Sequence, residues 1–85
     1  MAERTYSLQR AAVESLLILE DADAARVLLA LELLVEQPDE PPDSSTRDHQ
    51  GRPFLLRYMG EFIIVYRRNS DGSVVTVFDI TRSRR

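Results

Sequence analysis

The chain has 85 residues, of which 44% are hydrophobic and 29% charged, with a formal net charge of −3. That length supports one small domain, and that apolar content excludes a disordered tail. It has no cysteine and no lysine, all 11 basic residues being arginine, which excludes disulfides, thiolate zinc sites, cysteine nucleophiles and lysine Schiff-base chemistry.

The pattern at Arg4–Tyr6 allows a brief strand. Ser7 is placed to cap a helix with apolar positions Leu8, Ala12, Leu16 and Leu19, flanked by Val13 and Leu17, that ends near Glu20-Asp21. Asp23 is the N-cap candidate of a second helix. Its stripe is Leu28, Leu31 and Val35, widened by Val27, Leu33 and Leu34, and Pro38 stops it. Two antiparallel helices joined by a short turn fit this spacing.

Residues 37–52 read as a polar connector, with Pro38, Pro41 and Pro42, and its front end is expected to be loosely ordered. Three strands follow. Phe54, Leu56 and Tyr58 alternate with Leu55 and Arg57, and Met59-Gly60 is the expected centre of a tight hairpin turn. Phe62–Tyr66 is apolar on both faces and reads as the central strand. Asn69-Ser70-Asp71-Gly72 marks a second turn. In the last strand, alternation sends Val75, Val77 and Asp79 one way and Val74, Thr76, Phe78 and Ile80 the other. The expected architecture is α+β: one domain over residues 1–85, in which an N-terminal helix hairpin packs on a three- to four-stranded antiparallel meander sheet.

Charge is divided along the chain. Residues 1–43 carry ten acids and three bases, and residues 44–85 four acids and eight bases. Either these are solvated faces, or one half suits a cationic partner and the other an anionic one. The start, Met1-Ala2-Glu3-Arg4, lacks the pattern of a signal peptide, and apolar runs such as Val27–Leu31 fall far below the ~18 residues of a membrane span. The expectation is a cytoplasmic protein with no membrane partner.

Chemistry-bearing patterns are few. His49 is the only histidine, and Asp39, Glu40 and Asp43 lack the spacing of a calcium loop. No metal and no cofactor is expected. Arginine dominates the second half, at Arg47, Arg52, Arg57, Arg67, Arg68, Arg82, Arg84 and Arg85, with Phe54, Tyr58 and Tyr66 interleaved. Such a set can bind phosphate and stack on bases. Arg67 and Arg68 fit a solvated sheet face better. Arg82, Arg84 and Arg85 fit a binding cluster and a frayed basic end equally well.

The stretch Leu56-Arg57-Tyr58-Met59-Gly60-Glu61-Phe62-Ile63-Ile64-Val65-Tyr66 resembles the hairpin of RelE/ParE-family toxins, with Gly60, Glu61, Phe62, Ile64, Val65 and Tyr66 at the matching positions. The order of two helices, Val-rich last strand and basic end is also similar. The resemblance implies a toxin of a type II toxin–antitoxin system, such as those that stabilise plasmids, neutralised by a cognate antitoxin that wraps it. It further implies one of two targets: the ribosome, where the RelE branch cleaves mRNA, or DNA gyrase, which the ParE branch inhibits. The family's arginine after the aromatic falls on Ile63, and Phe54, Leu55 and Leu56 stand where the family has strand lysines. That departure points to a gyrase-type or degenerate binder, or else to phosphate contacts supplied from shifted positions by Arg57 and Arg82; if the chain is a ribosome-dependent endoribonuclease, Arg57, Arg82 and Arg84 are the catalytic candidates. The target-binding candidates are Arg57, Tyr58, Arg82, Arg84 and Arg85, with the arginines holding phosphate or carboxylate and Tyr58 offering a stacking surface. The competing expectation is a non-toxic interaction module of the same fold, able to form a homodimer through its helix hairpin or an edge strand.

Overall fold

The computed structural model describes residues 4–83. The opening segment is a strand, β1 (Thr5–Leu8), in which Tyr6 and Leu8 pack against the core while Thr5 and Ser7 are exposed. Ser7 is therefore a strand residue and not a helix cap. Helix α1 (Arg10–Leu17) begins after Gln9 with no side-chain cap, and ends three residues before Glu20. Helix α2 (Asp21–Glu36) starts two residues earlier than the expected cap at Asp23. Asp21 and Asp23 instead occupy its first turn, where carboxylates favour the positive end of the helix dipole. Pro38 follows its C-cap Gln37, as the breaker rule requires. Arg68 donates to the carbonyls of Leu34 at 2.8 Å and Gln37 at 3.3 Å, supplying partners that the helix end lacks.

Strands β2 (Ser44–Arg47), β3 (Pro53–Met59), β4 (Phe62–Arg68) and β5 (Val74–Arg82) join β1 in one mixed sheet of order β1-β5-β4-β3-β2. The expected helix hairpin on a three- to four-stranded antiparallel meander is thus corrected: the sheet gains a strand at each edge, and α1 and α2 pack on the sheet, α1 chiefly on β5, more than on each other. β1 runs parallel to β5, with Thr5 opposite Val74 and Leu8 opposite Val77. β2 forms inside the 37–52 connector by pairing antiparallel with β3, Ser45 opposite Leu55. Four residues of sequence Ser-Ser-Thr-Arg carry no hydrophobic alternation, so a neighbour's open hydrogen-bonding edge specifies this strand more than its own side chains do. The β3–β4 turn centres on Gly60-Glu61, one residue later than expected. Gly60 has φ +58° and among the described residues no non-glycine residue has positive φ, which is the pattern of a type II′ turn.

The core lies between the helices and one sheet face. Phe62, Ile64 and Tyr66 of β4 are buried with Val75, Val77 and Ile80 of β5, under Ala12 of α1 and Val27, Leu31, Leu34 and Val35 of α2. Leu28 and Leu33, counted above in the apolar stripe, are exposed, as is Leu29. Ile63 and Val65 turn to the other, outer face and are half-buried there.

Strand β5 departs from simple alternation. Val65 pairs with Asp79 and Tyr66 with Val77, so Phe78 has no partner on β4. This bulge inserts one residue and reverses the facing of everything after it. Ile80 thereby joins Val75 and Val77 in the core, which corrects its expected grouping with Val74 and Thr76. Phe78 packs edge-on against Phe54 at 5.1 Å, and the Arg67 guanidinium lies 4.0 Å from the Phe54 ring centre and 5.1 Å from that of Phe78. Among the described residues no helix is long and apolar enough to cross a membrane.

Candidate functional site

Neighbouring strand residues leave the backbone on opposite sides, so Arg57 and Tyr58 point to opposite faces of the sheet, although both border the groove between β3 and α2. Tyr58 is on the outer face. The register places it beside Ile63, and Ile63 beside Thr81. The next row holds Leu56 and Val65. At the hairpin end a cleft of about 520 Å³ is lined by Tyr58, Gly60, Glu61, Phe62, Ile63 and Ser83. Ser83 closes one side, its backbone N–H donating to the Glu61 carbonyl at 2.6 Å. The cleft offers an exposed aromatic ring, two hydroxyls and one carboxylate. Among the described residues no arginine lines it.

Arg57 is on the helix side and is 17% exposed at its side chain. Its guanidinium donates to the Pro41 carbonyl at 3.1 Å and pairs with Glu40 at 3.4 Å and Asp43 at 3.5 Å. The second oxygen of Asp43 accepts the Tyr58 N–H at 2.8 Å. These bonds lash the connector to the unpaired end of β3.

Arg82 also lies on the helix side, opposite Phe62 and with its guanidinium carbon 5.1 Å from that ring. Its Nε is 3.1 Å from Glu61 and its Nη2 4.0 Å from Asp23. Asp23 also pairs with Arg26 at 3.5 Å. A Cβ on Gly60 would sit 3.2 Å from the Arg26 guanidinium, which the flexible arginine can relieve by a small shift, so it is the turn, at φ +58°, that calls for glycine. Four alternating charges thus tie the start of α2 to the hairpin and to the end of β5.

Of the target-binding candidates, the structure puts Tyr58 in the outer cleft and Arg57 and Arg82 in two separate ion-pair groups on the opposite side. It does not bring the three together. Arg84 and Arg85 lie outside the described residues. Ile63 stands next to Tyr58 and presents an aliphatic side chain to the outer face.

One organising residue carried no weight in the sequence. Asp48 accepts from the backbone N–H groups of Gln50 and Arg52, both at 2.9 Å, and from the guanidinium groups of Arg52 and Arg67, both at 3.0 Å. Burial pushes its carboxyl up, but hydrogen bonds from the Arg52 backbone, Arg67, the Gln50 backbone and the Arg52 side chain outweigh that and hold its pKa at about 2. Its place at the start of Asp-His-Gln-Gly was the available signal, since aspartate bonds to backbone N–H groups two and more residues on. Among the described residues no group of three or more His, Cys, Asp or Glu side chains could hold a metal ion.

No protein-family model matches the chain, and no curated protein is similar to it in sequence. Solved structures are similar to it in fold. A chain of the RelBE2 toxin–antitoxin complex of Mycobacterium tuberculosis gives a TM-score of 0.73 at 17% identity, covering 94% of this chain and 98% of that one. One from the archaeal RelE–RelB complex of Pyrococcus horikoshii gives 0.72 at 19% identity, covering 100% and 99%. One from the intact RelBE toxin–antitoxin complex of Escherichia coli gives 0.62 at 13% identity, covering 96% and 99%. The chain has a RelE-like fold.

Proposed function

We propose that this chain is the toxin-like component of a type II toxin–antitoxin system, cytoplasmic and held by a cognate antitoxin. The observation that carries the reading is the likeness over nearly the whole chain to proteins solved inside toxin–antitoxin complexes. In our reading it acts by binding its target, DNA gyrase ahead of the ribosome and its mRNA, and not by cutting RNA. Support comes from the outer cleft, where Tyr58, Ile63 and Ser83 stand without an arginine among the described residues. A phosphate-holding surface gains affinity from many cations, whereas a protein-binding surface needs only those that meet its partner's carboxylates, the role we propose for Arg82 and Arg84. The same aliphatic Ile63 favours the second reading, a non-toxic interaction module of this fold that pairs with a protein or with its own copy.

The test is growth after tight induction of the gene, alone and with its immediate neighbour. Arrest alone with rescue by the neighbour establishes a toxin. Arg82→Ala combined with Arg84→Ala is expected to abolish arrest while the circular dichroism spectrum stays unchanged. Normal growth despite soluble expression would leave the interaction module as the reading.

A further inference from the structure

The helix side of the molecule exposes apolar side chains that nothing in the fold covers. Leu17 is 78% exposed, Ile18 85%, Leu29 60% and Leu33 46%. Leu29 and Leu33 are one turn apart on α2, the spacing of neighbours on one helix face. Beside Leu33 a groove of about 200 Å³ runs between α2 and β3, floored by Ala30, Leu34 and Met59, deep enough for one apolar side chain.

The charge around this surface is mostly negative, with two arginines at its margins: Arg4 lines the groove between α2 and β1 with Glu32 and Glu36, and Arg57 lines the one between α2 and β3 with Glu40. Residues 10–36 carry six carboxylates and two arginines. Both arginines are already engaged, Arg10 with Glu14 at 3.6 Å and Arg26 with Asp23 at 3.5 Å. Glu20, Asp21, Glu32 and Glu36 are exposed. On α2, Glu32 and Glu36 are neighbours of Leu29 and Leu33 on the outward face.

That combination selects among occupants. A second copy seated helix side to helix side would set carboxylates against carboxylates. An anionic lipid surface or a nucleic acid would be repelled for the same reason. A β-strand gains nothing here, because helix backbone groups are already bonded within the helix. The surface accepts side-chain packing and positive charge together, which is the chemistry of an amphipathic helix laid in a groove.

We infer that the leucine-studded, acidic outward face of α2 is the seat of a basic amphipathic helix from a partner protein, one whose apolar stripe is flanked by lysine or arginine. The inference rests on the proposed pairing with an antitoxin and assigns the chemistry of that partner's binding segment.

The experiment uses the purified full chain and the product of the neighbouring gene. Titration calorimetry gives the affinity at low and high salt, and hydrogen exchange of the complex maps the protected segments on both proteins. The expected result is new protection over α2, and over a partner segment with excess lysine and arginine. Affinity should fall with salt. It should fall about tenfold in Glu32→Lys combined with Glu36→Lys, and roughly a hundredfold in Leu29→Asp. Leu29 is exposed, so Leu29→Asp should fold, and circular dichroism checks that; the lysine pair carries the test if it does not. A complex whose protected partner segment is acidic, or whose affinity is unmoved by the lysine pair, overturns this inference and leaves the proposed pairing intact. A complex that protects only the outer sheet face does the same. Failure of any complex to form overturns both.

Discussion

Strand β4 makes the sharpest test of the architecture, because consecutive aliphatic residues there meet different surroundings. Ile64 is fully buried and pairs across the sheet with Ile80 beneath the helices. Val65 is half-buried on the outer face, opposite Asp79. Threonine keeps the β-branched shape and strand preference at both positions, so Ile64→Thr and Val65→Thr differ mainly in burial. At residue 64 the change removes about 1 kcal/mol of buried methylene and buries a hydroxyl at a further cost of about 2 kcal/mol. The loss is about 3 kcal/mol, a large part of the stability of a domain this small. At about 5 °C per kcal/mol, the melting temperature should fall by roughly 15 °C. At residue 65 the hydroxyl reaches solvent, and the fall should stay below about 5 °C. Thermal unfolding followed by circular dichroism reads both. Equal losses at the two positions would refute the assignment of one covered and one open sheet face.

Two further outcomes follow from single polar groups. The Tyr66 hydroxyl is buried with no hydrogen-bond partner among the described residues; Tyr66→Phe removes that penalty and should raise stability by about 1 kcal/mol, seen as a melting temperature higher by about 5 °C, whereas a drop would reveal a partner for the hydroxyl. Folding lowers the Asp48 pKa from 3.8 to about 2. The ionised carboxylate therefore stabilises the native chain above pH 3.8, and that contribution is lost as pH falls from 3.8 towards about 2. Asp48→Asn should lower the melting temperature at neutral pH and flatten its dependence on pH in that window. Asp71, also lowered, by hydrogen bonds from Ser73, leaves a smaller residual slope, so an unchanged slope in Asp48→Asn would refute the assignment.

Much of the fold was legible where long periodic patterns had a buried face to report. The stripe of α2, the three antiparallel strands and the central position of β4 all follow from hydrophobic spacing that tertiary packing then used. The edges were illegible for a physical reason. β1 has four residues that read equally well as the lead into a helix, and its partner β5 lies more than sixty residues away in sequence. β2 has no apolar residue to alternate. Such strands are selected by an unpaired neighbour, which a local pattern cannot show. The exposed leucines were hidden by the opposite fault. Apolar residues surround so much of α2 that periodicity alone could not tell its covered face from its open one.

The candidate site turns on the same alternation, and on its one interruption. Arg57 and Tyr58 are adjacent in a strand, so their opposite facing could be read from the sequence. Arg82 could not. Counting from Val75 and Val77 in steps of two puts residue 82 on the outer face, beside the cleft. The bulge at Phe78 adds one residue, and Arg82 arrives on the helix side over Phe62. The local clue was Asp79, a poor strand former whose carboxylate accepts the N–H of Ile80 at 2.8 Å and the Ser15 hydroxyl at 3.2 Å. Position then decides which arginine a target can recruit. Arg57 is mostly covered and holds two carboxylates and a carbonyl, so withdrawing it would strand several partners of the connector at once. Arg82 and Glu61 are each more than half exposed, and such a pair contributes at most about 1 kcal/mol. An incoming carboxylate or phosphate can therefore displace Glu61 at little cost. That makes Arg82 the arginine to remove first when target binding is tested, and Arg57 the one whose loss should show first as a loosened connector.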